Sequence, residues 1–277
     1  MRLFSDTWTM TTRSLRHIVR SPDTIITVVA MPIALMLLFV YVFGGSFGHA
    51  FSTGPVKYVD FIVPGIIAMT VVSGIAYTAV RLSMDMQRGM VNRFRTMPIA
   101  SSSILSGHAV SSLLSNLFSV LLVVLVGLLV GFRSQAAAVE WLLFVALTTL
   151  FILATTWLAI MFGLLAKSVE GAGSFSYILM LLVFVSSGFA PTGSMSAPVR
   201  AFAEHQPMTP IVGTMRSLLI YGHAGNSAWA AFAWCGGLLA VCYVAALRFF
   251  RTRRGPMIAS QYIGETRTGS RRTPPSH

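Results

Sequence analysis

The sequence predicts an all-α membrane protein with six transmembrane helices and both ends in the cytoplasm. Three observations predict it. Six long apolar runs punctuate the chain. Only 10% of the 277 residues are charged while 55% are hydrophobic, where a soluble domain carries about 25% charged residues. Sixteen of the twenty Lys and Arg fall on one side of the alternating runs.

The first element precedes the runs. Phe4, Trp8, Leu15 and Ile18 recur at helical spacing, while Arg13, Arg16 and Arg20 lie elsewhere around the wheel. An apolar stripe with Trp and a basic face is the pattern of a helix lying in the membrane interface. Residues 1–24 are therefore read as a cytoplasmic interfacial segment.

A helix needs about 20 apolar residues to cross the hydrocarbon core. The runs that meet or approach this are Ile25–Phe43, Phe61–Val80, Leu113–Phe132, Trp141–Leu165, Phe175–Ala190 and Ala228–Leu247, and none contains Asp, Glu, Lys, Arg or His. The first run competes with a signal peptide. The stretch before it holds Asp6 and Asp23, the run is long for a signal core, and no small-residue cleavage pattern follows. It is read as a retained span. The fifth run is short, and Gly188, Pro191 and Gly193 follow it closely, so it is expected to end in a broken or re-entrant segment.

Lys and Arg mark the cytoplasmic side. Arg2, Arg13, Arg16 and Arg20 precede the first run, and Arg81, Arg88, Arg93 and Arg95 follow the second. Lys167 follows the fourth, and Arg248, Arg251, Arg253, Arg254, Arg267, Arg271 and Arg272 follow the sixth. The other side holds Lys57, Arg133, Arg200 and Arg216. This places the chain in the plasma (inner) membrane as a multi-pass protein. Residues 25–252 form the six-helix domain, and 253–277 a polar, basic tail expected to be disordered.

Two connections are more than turns. Between the second and third runs, Arg81, Asp85, Arg88, Asn92 and Arg95 share one helical face, with Met84, Val91 and Phe94 on another. Asp85 is in register to pair with Arg81 or Arg88, and Pro98 stops the helix. This reads as a short cytoplasmic helix that docks on a partner. On the opposite side, residues 191–227 are punctuated by Pro191, Pro198, Pro207 and Pro210, and Ile211, Met215, Leu218 and Leu219 form an amphipathic run. One or two short outer helices are expected there.

Several functions are excluded. The basic residues sit between apolar runs rather than on a polar surface, so nucleic acid is not the partner. Cys235 and Cys242, seven residues apart on one helix and so roughly 10 Å apart, are too far for a disulfide. Neither Lys57 nor Lys167 completes a phosphate-binding G-x-x-x-x-G-K-[ST] loop. With no ionisable residue inside a run, an ion-coupled carrier lacks its coupling site. An intramembrane serine protease lacks its His. Catalytic residues, metal ligands and cofactors are accordingly expected to be none. What remains is a membrane body with a docking element and no engine of its own.

The stretch Asp85-Met-Gln-Arg-Gly-Met-Val-Asn-Arg-Phe-Arg-Thr-Met-Pro98 resembles the loop after the second span of ABC-2 type export permeases, the daunorubicin/doxorubicin-resistance subgroup above all. The matching positions are Asp85, Gly89, Arg93, Phe94, Arg95, Pro98 and Ile99. Ser187-Gly-Phe-Ala-Pro-Thr-Gly-Ser-Met195, continuing through Ala201 to Pro210, resembles the motif after the fifth span, with Gly188, Pro191, Met195, Pro207 and Pro210 as its marks. Order and spacing agree over roughly residues 1–252.

The resemblance implies the ABC-2, or type V exporter, fold: six spans, an N-terminal interfacial helix, a coupling helix after span two, and short extracellular helices before span six. It implies that Arg81–Thr96 is the coupling helix that meets a separate ABC ATPase, with Arg81, Asp85, Arg88, Gly89, Arg93, Phe94, Arg95 and Pro98 at the contact. It also implies pairing with a second permease copy or a paralogue. Asn92 departs from the pattern, since many members are acidic there. The uncharged spans suit a hydrophobic or amphipathic cargo, such as a drug or antibiotic, expelled with ATP hydrolysed elsewhere. Two alternatives are an exporter of cell-envelope lipid or glycolipid and, from another class, a membrane anchor or assembly factor that transports nothing.

Overall fold

The computed structural model describes residues 29–44, 57–87, 102–166 and 168–252, and among these every regular element is helical. The first is α1, Met31–Leu37, continued by a wider turn over Leu38–Val42. The long helices are α2 (Tyr58–Gln87), α3 (Ser102–Val130) and α4 (Ala138–Leu165). Then come α5 (Val169–Phe184), two short helices α6 (Ala197–His205) and α7 (Met208–Arg216), and α8 (Ala228–Thr252). The interfacial segment 1–24, most of the docking segment (88–101) and the tail 253–277 lie outside the described residues.

By length and composition, four of these helices are able to cross a membrane: α2, α3, α4 and α8. Met31–Val42 and Val169–Phe184 are shorter apolar helices. The protein is therefore a multi-pass membrane protein. The described helices fall on the expected apolar runs, and at the second and fifth the ends differ. The second run, read as Phe61–Val80, starts three residues earlier and continues through Gln87. Arg81 and Asp85 thus belong to the last turns of the span's own helix rather than to a separate one. The fifth run, read as Phe175–Ala190, is shifted: its helix begins at Val169 and is over by Phe184. The reason is local. Ser168 caps the helix by accepting from the Gly171 N–H at 3.0 Å, with Glu170 in the first turn favouring the positive end of the dipole. Residues 185–189 then form turns.

α2 is the central helix. Every residue from Tyr58 to Val72 is buried, which a helix apolar on all sides requires. It packs against α1, α3, α4, α5 and α7. Ile62, Val63, Ile66 and Ile67 of α2 share one core with Phe144, Leu147, Phe151 and Ile152 of α4 and with Val212 and Met215 of α7. α8 lies against α4.

The outer surface has the opposite character from that of a water-soluble bundle. On α3, Phe118, Leu121, Leu125 and Leu129 are exposed at spacings of three and four, one stripe along the helix. Trp229, Val241 and Val244 are exposed on α8 as well. Large apolar side chains in continuous exposed stripes fit a lipid surrounding.

Candidate functional site

The sequence-derived site residues fall at opposite ends of the bundle. At one end α2 finishes and α3 begins, flanking the docking segment. The Arg81 guanidinium lies 4.7 Å from the centroid of the Tyr77 ring, one turn back. Asp85 Oδ2 is 3.3 Å from His108 Nε2 on α3. That pairing joins two helices, which spacing along a single helix does not reveal. Arg88, Gly89, Arg93, Phe94, Arg95 and Pro98 lie outside the described residues, as do Phe4, Trp8, Leu15 and Ile18.

Two turns further into the bundle is a polar seam that the sequence reading missed. Thr78 Oγ1 of α2 donates to Ser112 Oγ of α3 at 2.9 Å, and Ser112 Oγ is 3.1 Å from Thr156 Oγ1 of α4. Asn116 Nδ2 donates to the Ser112 carbonyl at 2.9 Å. All four side chains are buried. A hydroxyl offers one donor and two acceptor sites, so Ser112 is the node that ties three helices together. Asn116 Oδ1 is buried without a hydrogen-bond partner among the described residues, and its amide presses on Gly74. The signal was present in the sequence: His108, Ser112 and Asn116 recur every four residues, as do Ser111, Ser115 and Ser119. A search for ionisable groups alone, starting at Leu113, passes over them.

The other end gathers the start of α2, the α3–α4 link, the turn after α5, and α6 and α7. Helix ends leave backbone groups without intrahelical partners, and here side chains from other elements bond to backbone groups at this end. Gln206 Nε2 donates to the Leu182 carbonyl at 2.8 Å. Ser134 Oγ donates to the Leu219 carbonyl at 2.7 Å. Asp60 Oδ1 accepts from the Arg133 N–H at 2.9 Å. Gly222, with φ 64°, takes the left-handed conformation that ends the α7 segment.

Arg216 is the largest of these stitches. It was expected as a loop charge, yet it is buried. Nε and Nη2 donate to the Phe61 carbonyl of α2 at 3.3 and 3.0 Å. Nη2 also reaches the carbonyls of Ser187 at 2.6 Å and Gly188 at 3.4 Å. The guanidinium carbon stands 3.8 Å from the Phe61 ring centroid, a cation–π contact. Burial pushes the Arg216 pKa down to about 10, which leaves it charged at neutral pH. Hydrogen bonds to a charged donor contribute about 1.5–3 kcal/mol each, against a desolvation cost of several kcal/mol for a buried ion. The two nearly balance.

Of the motif residues at this end, the structure brings Gly188 into contact and leaves others apart. Gly188 is buried against Gly65 of α2, where a methyl on Gly65 would lie 2.6 Å from the Gly188 carbonyl oxygen. Pro191 and Met195 bracket a short turn over Thr192–Ser194 and make no such junction. Pro207 precedes α7 and Pro210 sits in its first turn, where a missing N–H costs nothing. Ile211, Met215, Leu218 and Leu219 are buried, in line with the amphipathic pattern.

Residues 5–220 match the family described as ABC-2 type transporter. The chain is 28% identical over 253 residues to the daunorubicin resistance ABC transporter permease protein DrrB1 of Streptomyces coeruleorubidus, covering 90% of this chain and 87% of that one. It is 22% identical over 244 residues to the probable doxorubicin resistance ABC transporter permease protein DrrC of Mycobacterium tuberculosis, covering 88% and 87%. It is 25% identical over 213 residues to the putative transport permease ycf38 of Cyanophora paradoxa, covering 74% and 70%.

Proposed function

This chain belongs to the ABC-2 type transporter family, and on that premise we propose that it is the membrane permease of an exporter for hydrophobic or amphipathic small molecules, antibiotics among them. ATP is hydrolysed by a separate ABC ATPase subunit, and the permease works beside a second copy or a paralogue. The observation that carries this reading is similarity over nearly the whole chain to permeases named for daunorubicin and doxorubicin resistance.

The geometry supports a division of labour. Both termini and the 88–101 segment lie in the cytoplasm, by the distribution of Lys and Arg. That segment continues directly from α2, the helix that touches α1, α3, α4, α5 and α7. A push delivered by an ATPase as it closes on ATP therefore enters the bundle through a helix packed on most of the others. Arg81 through Pro98 form the docking surface, with Gly89, Phe94 and the arginines at the contact, and residues 1–24 lie along the cytoplasmic interface. The α6–α7 end faces outward.

The test is a pull-down of the tagged chain from its native membrane, with efflux of a fluorescent anthracycline measured in the same cells. The native chain is expected to capture an ABC ATPase. Phe94→Ala and Gly89→Val are expected to cut capture and efflux at least tenfold at equal permease abundance. Capture and efflux both unchanged in these variants would remove the docking assignment. Efflux of hydrophilic cargo alone would remove the cargo class.

A further inference from the structure

The α6–α7 end holds a buried cation whose hydrogen bonds go only to backbone carbonyls. Arg216 bonds to the carbonyls of Phe61, Ser187 and Gly188, and none of the ion pairs among the described residues involves it. Asp60, next to Phe61, is engaged elsewhere: its Oδ1 accepts from the Arg133 N–H. We propose that Arg216 is the latch of the exit gate, holding the turn after α5 closed on α2, and that export requires its release. The inference rests on the permease reading above and on the outward placement of this end.

Three features make this a latch rather than a fixed joint. First, the bonds converge from separate elements. Arg216 ends α7, Phe61 belongs to α2, and Ser187 and Gly188 belong to the turn after α5. One side chain thus bonds to all three where they meet. Second, the surfaces it clamps are bare. Gly188 sits on Gly65, and a methyl built on Gly188 would stand 3.2 Å from Gly65 Cα. Two backbones without interlocking side chains separate without any rotamer change. Third, the grip is on neutral carbonyls. Water or a lipid phosphate replaces a carbonyl dipole at a guanidinium, whereas a buried carboxylate would hold it fast.

The same turn closes an aromatic seam. Phe189 packs 5.4 Å from Phe39 beside α1's end and 4.8 Å from Phe184 of α5, centroid to centroid. Lifting the turn off Gly65 parts these rings as well. The opening lies between α1, α2 and α5, and its walls are aromatic, suited to an apolar cargo.

The experiment places a single cysteine on the turn. In a Cys235→Ala, Cys242→Ala chain, Ser187→Cys is reconstituted with its ATPase in nanodiscs, and the rate of maleimide labelling is followed. Ser187 Oγ is buried, so labelling is expected to be slow without nucleotide and at least tenfold faster with ATP trapped by vanadate. Adding Arg216→Met is expected to make labelling fast in both states and to raise ATP hydrolysed per drug molecule exported at least fivefold. Arg216→Lys, which keeps the charge, is expected to restore part of the slow rate. A chain retaining only buried Cys235 is expected to label slowly with or without Arg216→Met, which separates release of a latch from general loosening. Should Arg216→Met fail to assemble, Gly65→Ala serves instead, because its methyl drives the Gly188 carbonyl away. Nucleotide-independent labelling of Ser187→Cys overturns the latch, as does slow labelling in Arg216→Met or Gly65→Ala. A chain that captures no ATPase fails the permease reading and takes the latch with it; capture with nucleotide-independent labelling fails the latch alone.

Discussion

A methyl group added to Gly74 tests the polar seam directly. The Asn116 amide fills the space where a Gly74 side chain would begin: its Cγ would lie 2.8 Å and its Nδ2 2.9 Å from the new Cβ. Gly74→Ala therefore expels the amide from its seat. Asn116 then loses its bonds to the Ser112 carbonyl and hydroxyl. A buried hydrogen bond contributes a net ~0.5–1.5 kcal/mol, and a displaced, unpaired amide costs a further ~1–3 kcal/mol. Against this, Ala gains about 1 kcal/mol over Gly in a helix. The expected net loss is about 1–3 kcal/mol. Asn116→Ala alone gives up the same bonds and is expected to cost about 1–2 kcal/mol. In the double variant the methyl added by Gly74→Ala occupies room the amide has left, so the total is expected to be no greater than for Asn116→Ala. The cycle then shows a favourable coupling of about 1–3 kcal/mol, well above the ~0.5 kcal/mol scatter of independent sites. Reversible unfolding in mixed SDS micelles, followed by tryptophan fluorescence, measures each corner. Additivity of the two changes would refute the assigned contact.

Two further outcomes follow from the same geometry. Asp85→Asn and His108→Gln are each expected to destabilise by roughly 0.5–1 kcal/mol, the scale of a partly exposed polar pair, and the double change by less than their sum; additive losses would show that Asp85 and His108 do not interact. Phe151→Ala, at a site 1% exposed, is expected to cost about 3–5 kcal/mol, while Phe118→Ala, 58% exposed, is expected to stay within about 1 kcal/mol. Equal losses in the same unfolding assay would mean that the α3 stripe is buried against protein rather than facing lipid.

Apolar runs located the helices because lipid exposure is a property of single residues, summed along the chain. They misplaced the ends because hydropathy reports where the hydrocarbon slab begins, not where hydrogen bonding stops. α2 runs on through Met84, Asp85 and Met86, good or tolerable helix formers with no Gly or Pro to stop them. The shift of α5 was legible by another rule, since Ser168 with Glu170 two residues on is a helix-start signal. Arg216 was not legible at all. Its partners are main-chain carbonyls 155, 29 and 28 residues away. A carbonyl has no side-chain identity to search for, so an arginine that binds three of them looks like any loop charge. His108 beside Asp85 was not legible, because it lies across a connection whose path the spacing rule does not follow.

The close contacts along α2 explain why one helix serves as the lever of the proposed mechanism. Between apolar helices in lipid the hydrophobic effect gives little drive, and close backbone approach and buried polar pairs set the geometry instead. α2 is met in this way at three heights. The turn after α5 reaches it at Gly65, Asn116 of α3 at Gly74, and Gly163 of α4 at Ala79, where a methyl on Gly163 would be 3.0 Å from the Ala79 carbonyl oxygen. Each contact excludes side-chain bulk, so none has slack to absorb a displacement. The Thr78–Ser112–Thr156 chain adds directional bonds between the second and third. A shift imposed at Gln87 is thus shared by α3 and α4 before it reaches Gly65. There the partner is held by Arg216 through neutral carbonyls, which water can replace, rather than by interlocked side chains.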